Sequence, residues 1–513
     1  MNKKNGNIED VFKITDSGLT YIKIIKSTNF HKINEILDVP KEFADTLVKE
    51  GVARIVTFEE YKKYQHSQAK KLFIKALKKE EKEKKKISTI GLKIDNFVDN
   101  VAQFYNQQPF FFDKQEVFWF WQENEHKWEI VDEVDLMNAL DDELGFAGQT
   151  VTSGIKRSYL EAFKRIGRKK HPKEAPLKWI QFKDIAFSLN SKKIYEVKPN
   201  YFFTNPIPWE LGESPNTPVM DKLFEEWVGE ANVPILYEII AYCAYRSYPI
   251  QVLFSLVGNG LNGKSCFLNL LSKFIGKDNL CSTELDLLVG RGSSRFESFK
   301  LYKKLGCQMG ETNFGTLSNS SLLKKLTGGD LIGFEMKNKK PFDDYNYAKL
   351  LIASNSLPTS EDTSEGFYRR WVIIEFPNQF KEGKDILETI PKHEYSNLAL
   401  KVTQILPKLL EKGEFTNQGT IKERTHRYII SSNPFSIFVD QCCDKDESTF
   451  VSYGKLYTAY VGFLKFHKKR RVKMKEFKAA LEDEGYWLDR TSKEDSDGIW
   501  KSGNWITGLS LKE

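Results

Sequence analysis

The sequence predicts an α/β protein whose core is a parallel β-sheet covered by helices. Residues 251–257 (QVLFSLV) form a short apolar run that is typical of a buried strand, and residues 266–276 carry apolar side chains at helical spacing. A glycine-rich loop joins these two segments. Helical patterns alternate with buried-strand patterns from about residue 216 to residue 380, as expected for a parallel sheet.

The loop between this strand and its helix is the most specific motif of the chain. Residues 258–265 read GNGLNGKS and fit the phosphate-binding pattern G-x-x-x-x-G-K-[ST] in its strand–loop–helix context. Glycines in such a loop let backbone N–H groups turn onto phosphate oxygens, and the helix N-terminus adds partial positive charge. A fortuitous glycine-rich turn is the alternative, and both flanking segments argue against it.

The loop therefore predicts a nucleoside triphosphate, ATP, bound together with Mg²⁺. We expect Lys264 to reach the β- and γ-phosphates and the Ser265 hydroxyl to bind Mg²⁺. The residues predicted to contact the nucleotide are Gly258, Asn259, Gly260, Leu261, Asn262, Gly263, Lys264, Ser265 and Cys266.

Composition limits the class of protein. The 513 residues suffice for three or four domains, and the net charge of +7 is too modest to predict a nucleic-acid partner by itself. The six cysteines show no C-x-x-C spacing, which favours free thiols over a disulfide framework or a zinc site. The first residues lack a signal-peptide pattern and no apolar run approaches about 18 residues, so we expect a cytoplasmic protein without a membrane partner.

Composition shifts divide the chain into four predicted domains: 1–86, 87–215, 216–430 and 431–513. The first is a small module that ends in a lysine-rich helix, which is more typical of a solvated linker than of a nucleic-acid site. The second is an aromatic-rich α+β domain. Its aromatic side chains could stack on bases, but an aromatic core is the favoured interpretation.

The last domain follows Pro434 and has the pattern of a DNA-binding unit. Residues 455–467 and 476–484 are predicted helices, the basic segment KKRRVKMK lies between them, and a strand pair is expected around residues 497–498. This order of a helix, a basic helix and a two-stranded wing predicts a winged-helix domain, whose second helix can enter a DNA groove.

Two polar residues follow buried-strand patterns downstream of the loop. Glu311 ends a short strand and is placed to polarise water or hold Mg²⁺, although Gly310 stands where a second acid often lies. Asn355 ends the clean apolar strand AKLLIAS and can orient the attacking water beside the γ-phosphate. The alternatives are a surface acid for Glu311 and a turn-forming amide for Asn355.

Basic residues occur in two further motifs. Arg369 and Arg370 precede a β-run, where an arginine suits a finger that reaches the nucleotide of a neighbouring subunit, the alternative being surface charge. Lys337, Lys339 and Lys340 lie at the tip of a predicted hairpin, where they can contact phosphates without reading sequence. A solvated lysine turn is the alternative there.

The order of these motifs resembles the superfamily 3 helicases, and more closely the primase-helicase proteins of phages, plasmids and large DNA viruses, including the poxvirus-type helicase. The resemblance covers residues 195–380, and the C-terminal winged helix extends it. It is carried by the motifs YFFTNPIPWEL, GNGLNGKS, GETN, KKLTGGDLIGFEMKNKKPF, AKLLIASNSLP and YRRWVIIEFP.

This resemblance implies an AAA+-like ATPase core that assembles as a homo-hexameric ring and moves 3′-to-5′ along single-stranded DNA. It implies that Glu311 is the catalytic acid, Asn355 the sensor, Arg369 or Arg370 the finger, and the three lysines a pore hairpin. Two departures stand out: Glu311 has no adjacent acid, and only about 200 residues, without a D-x-D motif, precede the core. Priming is therefore expected of a separate primase or polymerase.

The leading hypothesis is an ATP-dependent replicative DNA helicase of virus, phage or plasmid type that acts on single-stranded and replication-fork DNA in the host cytoplasm. One alternative is an AAA+ remodeller or loader that hydrolyses ATP without unwinding, and another is a nucleotide-gated winged-helix DNA-binding protein. The sensor and finger argue against the gated binder, because an inactive core needs neither. The lysine hairpin favours the helicase over the remodeller.

Overall fold

A computed structural model describes two compact units, Met1–Asn96 and Phe97–Glu513. The three domain boundaries predicted from the sequence stay predictions. The residues that the structure describes are 19–24, 36–40, 45, 48–49, 53–55, 96–144, 152–258, 260–289, 295–310, 317, 320–337, 339–381, 385–467, 469, 471–494 and 500–512.

The first unit contains a small antiparallel sheet in the order β2-β1-β3. Its strands are β1 (Leu19–Ile24), β2 (Ile36–Pro40) and β3 (Ala53–Ile55). The lysine-rich run near residues 70–86 lies outside the described residues.

The second unit begins with a region of helices and small sheets built on aromatic side chains. Phe110, Phe111 and the indole rings of Trp119, Trp121 and Trp128 are almost fully buried, which confirms the interpretation of these residues as core. The elements of this region are α1 (Phe97–Gln107), β4 (Phe110–Phe112), β5 (Phe118–Gln122), β6 (Lys127–Val131), α2 (Glu133–Leu144), α3 (Ser153–Gly167), β7 (Lys173–Glu174), β8 (Trp179–Phe182), β9 (Ile185–Ser188), β10 (Ile194–Glu196) and β11 (Tyr201–Phe202).

A five-stranded parallel sheet follows, as the sequence predicted. Its order is β13-β14-β17-β12-β18, and an antiparallel hairpin, β15–β16, projects from the chain between β14 and β17. The strands are β12 (Leu253–Val257), β13 (Leu280–Ser282), β14 (Gly306–Met309), β15 (Leu331–Phe334), β16 (Phe342–Tyr345), β17 (Lys349–Ser354) and β18 (Trp371–Glu375).

Helices cover both faces of this sheet. Every residue of β12 and β17 is buried, which is why both strands read as continuous apolar runs rather than as alternating patterns. Phe254 packs on one face with α5, α6 and α10, whereas Leu253 packs on the other with α8, α9 and α11. The helices are α4 (Pro218–Val228), α5 (Val233–Cys243), α6 (Lys264–Ile275), α7 (Leu285–Val289), α8 (Ser321–Gly328), α9 (Glu365–Tyr368), α10 (Lys392–Lys412) and α11 (Ile421–Ser432).

The sheet has two edges that differ in chemistry. We call the edge where the five parallel strands end the carboxyl edge, and the edge where they begin the amino edge. The chain that leaves β12 reaches β13 beyond β17 and β14, whereas the chain that leaves β17 reaches β18 on the other side of β12. Ligands of open parallel sheets bind at the carboxyl edge beside such divergent connections.

The C-terminal region packs three helices on a three-stranded antiparallel sheet in the order β19-β21-β20. The two predicted helices and the strand pair are present, whereas β19 was not predicted. Its charged sequence DKDES is exposed and shows no apolar alternation. The elements are α12 (Pro434–Cys442), β19 (Cys443–Ser452), α13 (Tyr453–Phe466), α14 (Met474–Asp483), β20 (Leu488–Glu494) and β21 (Trp500–Leu511). A winged-helix function for this region stays a prediction.

Within the described part of the chain, each helix is too short or too polar to cross a lipid bilayer. The six cysteines are free thiols, and Cys281 and Cys307 lie opposite each other on β13 and β14.

Candidate functional site

The glycine-rich loop lies at the carboxyl edge, directly after β12, and requires glycine for steric reasons. Gly263 has φ of +94° at the start of α6, and a Cβ there would lie 2.6 Å from a ring carbon of Trp227. A Cβ on Gly258 would lie 2.5 Å from the carbonyl oxygen of Phe376. Any larger residue would therefore force the loop away from the strands and from Trp227.

Lys264 is buried inside this loop, with 4% of its surface exposed. Its ammonium donates hydrogen bonds to the Gly258 carbonyl and, at 3.2 Å, to Oδ1 of Asn262. The Asn262 amide in turn donates to the Phe376 carbonyl at 3.3 Å. Asn262 thus ties the loop to the segment after β18, a role that its place in the motif did not reveal.

A cavity of about 1190 Å³ opens beside the loop. It is large enough for a nucleotide, since ligand pockets span about 300–1,000 Å³. Gly260 to Cys266 form one side, and Gln308, Gly310 and Ala353 line it from the neighbouring strands. Trp227, Phe380 and Ile386 contribute apolar side chains to the lining, and the sequence did not reveal them because they lie far from any motif.

The predicted metal ligands are only partly described. Ser265 lines the cavity, whereas Glu311 lies outside the described residues, as does Asn259 among the predicted nucleotide contacts. Gly310, the residue before Glu311, also lines the cavity, and Met309 pairs with Ile352 on β17. The described residues hold no cluster of three or more His, Cys, Asp or Glu side chains. The Ser265 hydroxyl nevertheless fits Mg²⁺, which in nucleotide sites is bound mainly by phosphates, waters and one or two protein oxygens.

Asn355 lies beside the loop. Its strand, β17, is hydrogen-bonded to β12, Ser354 is paired with Val257, and the Gly258 N–H donates to the Ser354 carbonyl at 3.3 Å. Asn355 is exposed at the next position. The structure therefore brings the predicted sensor next to the predicted phosphate-binding loop.

The two predicted finger arginines lie at the opposite, amino edge. Trp371 is paired with Leu253, the first residue of β12, and the Leu253 N–H donates to the Arg370 carbonyl at 2.7 Å. At about 3.3 Å per residue, β12 separates the arginines from the start of the loop by about 13 Å. Neither arginine joins the phosphate loop of its own chain.

Arg370 and Arg369 differ in what they bind. Arg370 is 8% exposed, and its guanidinium donates to Thr327 Oγ1 at 3.0 Å, to the Lys324 carbonyl at 3.5 Å and to the Gly366 carbonyl. Burial lowers the pKa of Arg370. Arg369 is half-buried and donates at 2.6 Å to Oε1 of Gln251. Arg370 therefore fastens α8 within the chain, and Arg369 is the more accessible of the two.

The predicted lysine hairpin is confirmed as a hairpin. Lys337, Lys339 and Lys340 are exposed between β15 and β16. The Lys340 ammonium lies 3.3 Å from a carboxylate oxygen of Glu116, an exposed pair that contributes little to stability. The tip is therefore positively charged and accessible.

A carboxylate connects the root of this hairpin to the segment after Asn355. Asp362 lies 2.5 Å from the Lys324 ammonium, accepts a hydrogen bond from Ser320, and accepts another from the Ser364 N–H at 3.0 Å. Burial opposes its charge, but the hydrogen bonds from Lys324, Ser320 and Ser364 outweigh burial and hold the pKa of Asp362 well below its usual value. The sequence does not reveal this connection, because nothing in the Ser-rich turn indicates that Asp362 pairs with Lys324.

Comparison with known proteins finds partial similarities. Residues 256–370 match the model of a family of unknown function, DUF5906. A segment of 158 residues is 28% identical to a protein of Acanthamoeba polyphaga mimivirus that is named as a candidate helicase, and it covers 30% of this chain but only 16% of that protein. Two structures of the C-terminal region of NrS-1 align with 82% of this chain and all of theirs, at TM-scores of 0.40 and 0.43 and identities of 12% and 14%.

Proposed function

We propose that this chain is an ATP-dependent replicative DNA helicase of virus, phage or plasmid type that acts as a ring and moves 3′-to-5′ along single-stranded DNA. The observation that carries the proposal is the buried Lys264 inside a glycine loop, beside a cavity of about 1190 Å³ at the carboxyl edge of a parallel sheet. The similarity of part of the chain to a mimivirus protein named as a candidate helicase supports it.

In this proposal the carboxyl edge binds ATP. The loop N–H groups and the N-terminus of α6 hold the phosphates, and Lys264 exchanges its loop acceptors for β- and γ-phosphate oxygens. Ser265 would help to hold Mg²⁺, which would supply positive charge against the charge that develops in the reaction. The apolar side chains of Trp227, Phe380 and Ile386 suit the adenine ring.

Hydrolysis needs an activated water and a sensor of the γ-phosphate. Glu311 follows β14 and would polarise the attacking water, which then displaces ADP from the γ-phosphorus. Asn355 lies beside the loop and would hydrogen-bond both the water and the γ-phosphate. Arg369 would stabilise the transition state of a neighbouring subunit, because it lies at the far edge of its own sheet.

DNA would be moved by the lysine hairpin. In an AAA+-like hexameric ring the three hairpin lysines would line the central channel and follow the phosphates of one strand. Arg370 and Asp362 both contact α8, the helix that leads into the hairpin, and could transmit nucleotide-dependent movement to it. The C-terminal region, with Lys475 and Lys478 exposed on α14, would bind duplex DNA at the fork.

The first test is ATP hydrolysis by the purified chain with and without single-stranded DNA. The proposal predicts turnover that DNA stimulates and that both Lys264→Ala and Glu311→Gln abolish, followed by strand displacement on forked DNA. Turnover that DNA leaves unchanged would favour the remodeller or loader. Complete absence of turnover, with nucleotide still bound, would favour the nucleotide-gated binder.

A further inference from the structure

The amino edge carries a second arginine beside Arg369. Arg424 lies on α11, and its guanidinium donates a hydrogen bond through Nη1 to the Arg369 carbonyl. Its Nε–H is buried and meets no hydrogen-bond acceptor among the described residues. Buried N–H groups in proteins are almost always paired, so an orphaned donor on a charged side chain needs a specific explanation.

The charge around Arg424 is compensated only in part, by the carboxylate of Glu414. Burial lowers the pKa of Arg424, and the nearby guanidinium of Arg369 lowers it further. Neither arginine forms an ion pair with the part of the chain that the structure describes. Two guanidinium groups that lie close together without a direct ion pair repel each other and attract an anion.

We propose that Arg369 and Arg424 together form a two-arginine site for the terminal phosphates of Mg·ATP that a neighbouring copy of this chain holds. The inference rests on the proposed function and extends it by a second residue in contact with the substrate. Guanidinium groups match phosphate oxygens through paired N–H donors, which suits two of them to one phosphate group. The chain's own loop lies at the other edge, so the phosphates come from another copy.

Arg427 provides a matched control. It lies one turn further along α11, and its guanidinium donates to the Asn417 carbonyl at 2.9 Å and to the Gln418 carbonyl at 3.4 Å. Arg427 thus donates to backbone carbonyls of Asn417 and Gln418, whereas Arg424 donates to the carbonyl of Arg369. Truncation of Arg427 removes the same charge from the same helix and leaves the hydrogen bond between Arg424 and Arg369 in place, although it also removes a like charge near Arg424.

The test measures DNA-stimulated ATP turnover and, separately, the affinity of the chain for a fluorescent ADP. Arg424→Ala should lower turnover about 10- to 100-fold, the value of one charged hydrogen bond, and should leave the affinity for ADP within about 2-fold of wild type. Arg427→Ala should leave both within about 2-fold. Arg424→Lys keeps the charge but loses the paired donors, and should recover only part of the turnover.

A second comparison separates phosphate contact from mere support of Arg369. If Arg424 contacts phosphate, Arg424→Ala should lower the residual turnover of the Arg369→Ala variant further. No further loss in that background would overturn the inference, because Arg424 would then act only by positioning Arg369. Unchanged turnover of a well-folded Arg424→Ala would overturn it too, while the proposed function would stand. A wild-type chain that hydrolyses no ATP would refute the proposed function itself.

Discussion

The two edges of the central sheet differ in what they offer a ligand. The carboxyl edge is open, because a cavity of about 1190 Å³ adjoins the glycine-rich loop. At the amino edge, where β12 begins, the side chains are basic, from Arg369 and Arg370 to the buried Lys349. Under the proposed function, one chain would carry two half-sites for hydrolysis, and two copies would be needed to complete one.

The two edges also differ in the role of a buried lysine. Lys264 contacts atoms of a loop that lines the cavity, so a phosphate can replace them. The Lys349 ammonium donates to the carbonyls of Tyr245, Ser247 and Tyr347, and it lies 4.7 Å from the ring centre of Tyr242. Lys349 is therefore a structural lysine that fastens the amino edge, and burial alone does not identify a ligand-binding lysine.

The largest expected effect comes from removing the accessible arginine of the amino edge. Arg369→Ala should lower ATP turnover about 10³-fold, the lower end of the contribution of an arginine finger, and leave thermal stability nearly unchanged. Arg370→Ala should instead destabilise the fold by about 2–4 kcal/mol, because a buried guanidinium with three acceptors is lost. Steady-state kinetics and urea unfolding distinguish the two. If Arg370→Ala lowered turnover at unchanged stability and Arg369→Ala destabilised the fold, Arg370 would be the finger.

Lys349 tests whether the amino edge also depends on a structural lysine. Lys349→Met should lower the free energy of unfolding by about 3 kcal/mol, because three carbonyls lose their donor, with little change in the affinity for ADP. Urea unfolding and fluorescent ADP binding measure the two effects. A loss of ADP affinity at unchanged stability would contradict the distinction between the two lysines.

Lys349→Met should also change how the free energy of unfolding depends on pH. Burial lowers the pKa of Lys349 to about 7 from 10.5. Between about pH 7 and pH 10.5, Lys349 is protonated in the unfolded chain and neutral in the folded chain. The free energy of unfolding should therefore rise with pH over this range. The rise should be steeper in wild type than in Lys349→Met. Equal slopes would mean that the three carbonyls keep the ammonium charged.

The hairpin lysines test the link between the sheet and DNA. Lys339→Ala combined with Lys340→Ala should weaken single-stranded DNA binding about 10-fold and reduce the slope of log affinity against log salt by about 1–2. Fluorescence anisotropy over a salt series measures both. Lys192→Ala combined with Lys193→Ala removes the same charge from another exposed turn and should have less effect. Equal effects of the two pairs would show that the hairpin has no special role.

The smallest effect is expected at Gln251, which joins Arg369 to the end of α8. Its side chain accepts from Arg369 at 2.6 Å and donates to the Gly328 carbonyl at 2.9 Å. Gln251→Ala should lower DNA-stimulated turnover only a few-fold, about the effect of one neutral hydrogen bond. Gln251→Glu should lower it more, since a carboxylate would compete with phosphate for Arg369. A faster Gln251→Glu enzyme would contradict this arrangement.

What the sequence predicted correctly depended on local patterns. β12 and β17 were recognisable because fully buried parallel strands are continuous apolar runs, and the hairpin because a lysine turn separates two short strands. β19 was missed because its charged side chains leave no apolar alternation.

The remaining features depend on distant contacts. Trp227 and Phe380 join the cavity only through folding, and the sequence YRR does not reveal which arginine is buried against Thr327. Arg424 lies 55 residues from Arg369, its hydrogen-bond partner, so no motif could pair them. Side chains that act through tertiary packing are therefore the ones that only the structure reveals.

The most direct test of the account mixes two inactive chains. Lys264→Ala keeps the amino edge intact and Arg369→Ala keeps the carboxyl edge intact, so a subunit contact between them can pair an intact loop with an intact arginine. In a head-to-tail ring, an equal mixture should recover about a quarter of the wild-type ATP turnover, because a quarter of random contacts contain both intact halves. No recovery, with both variants shown to assemble together, would mean that each chain hydrolyses ATP by itself or that Arg369 is not the finger.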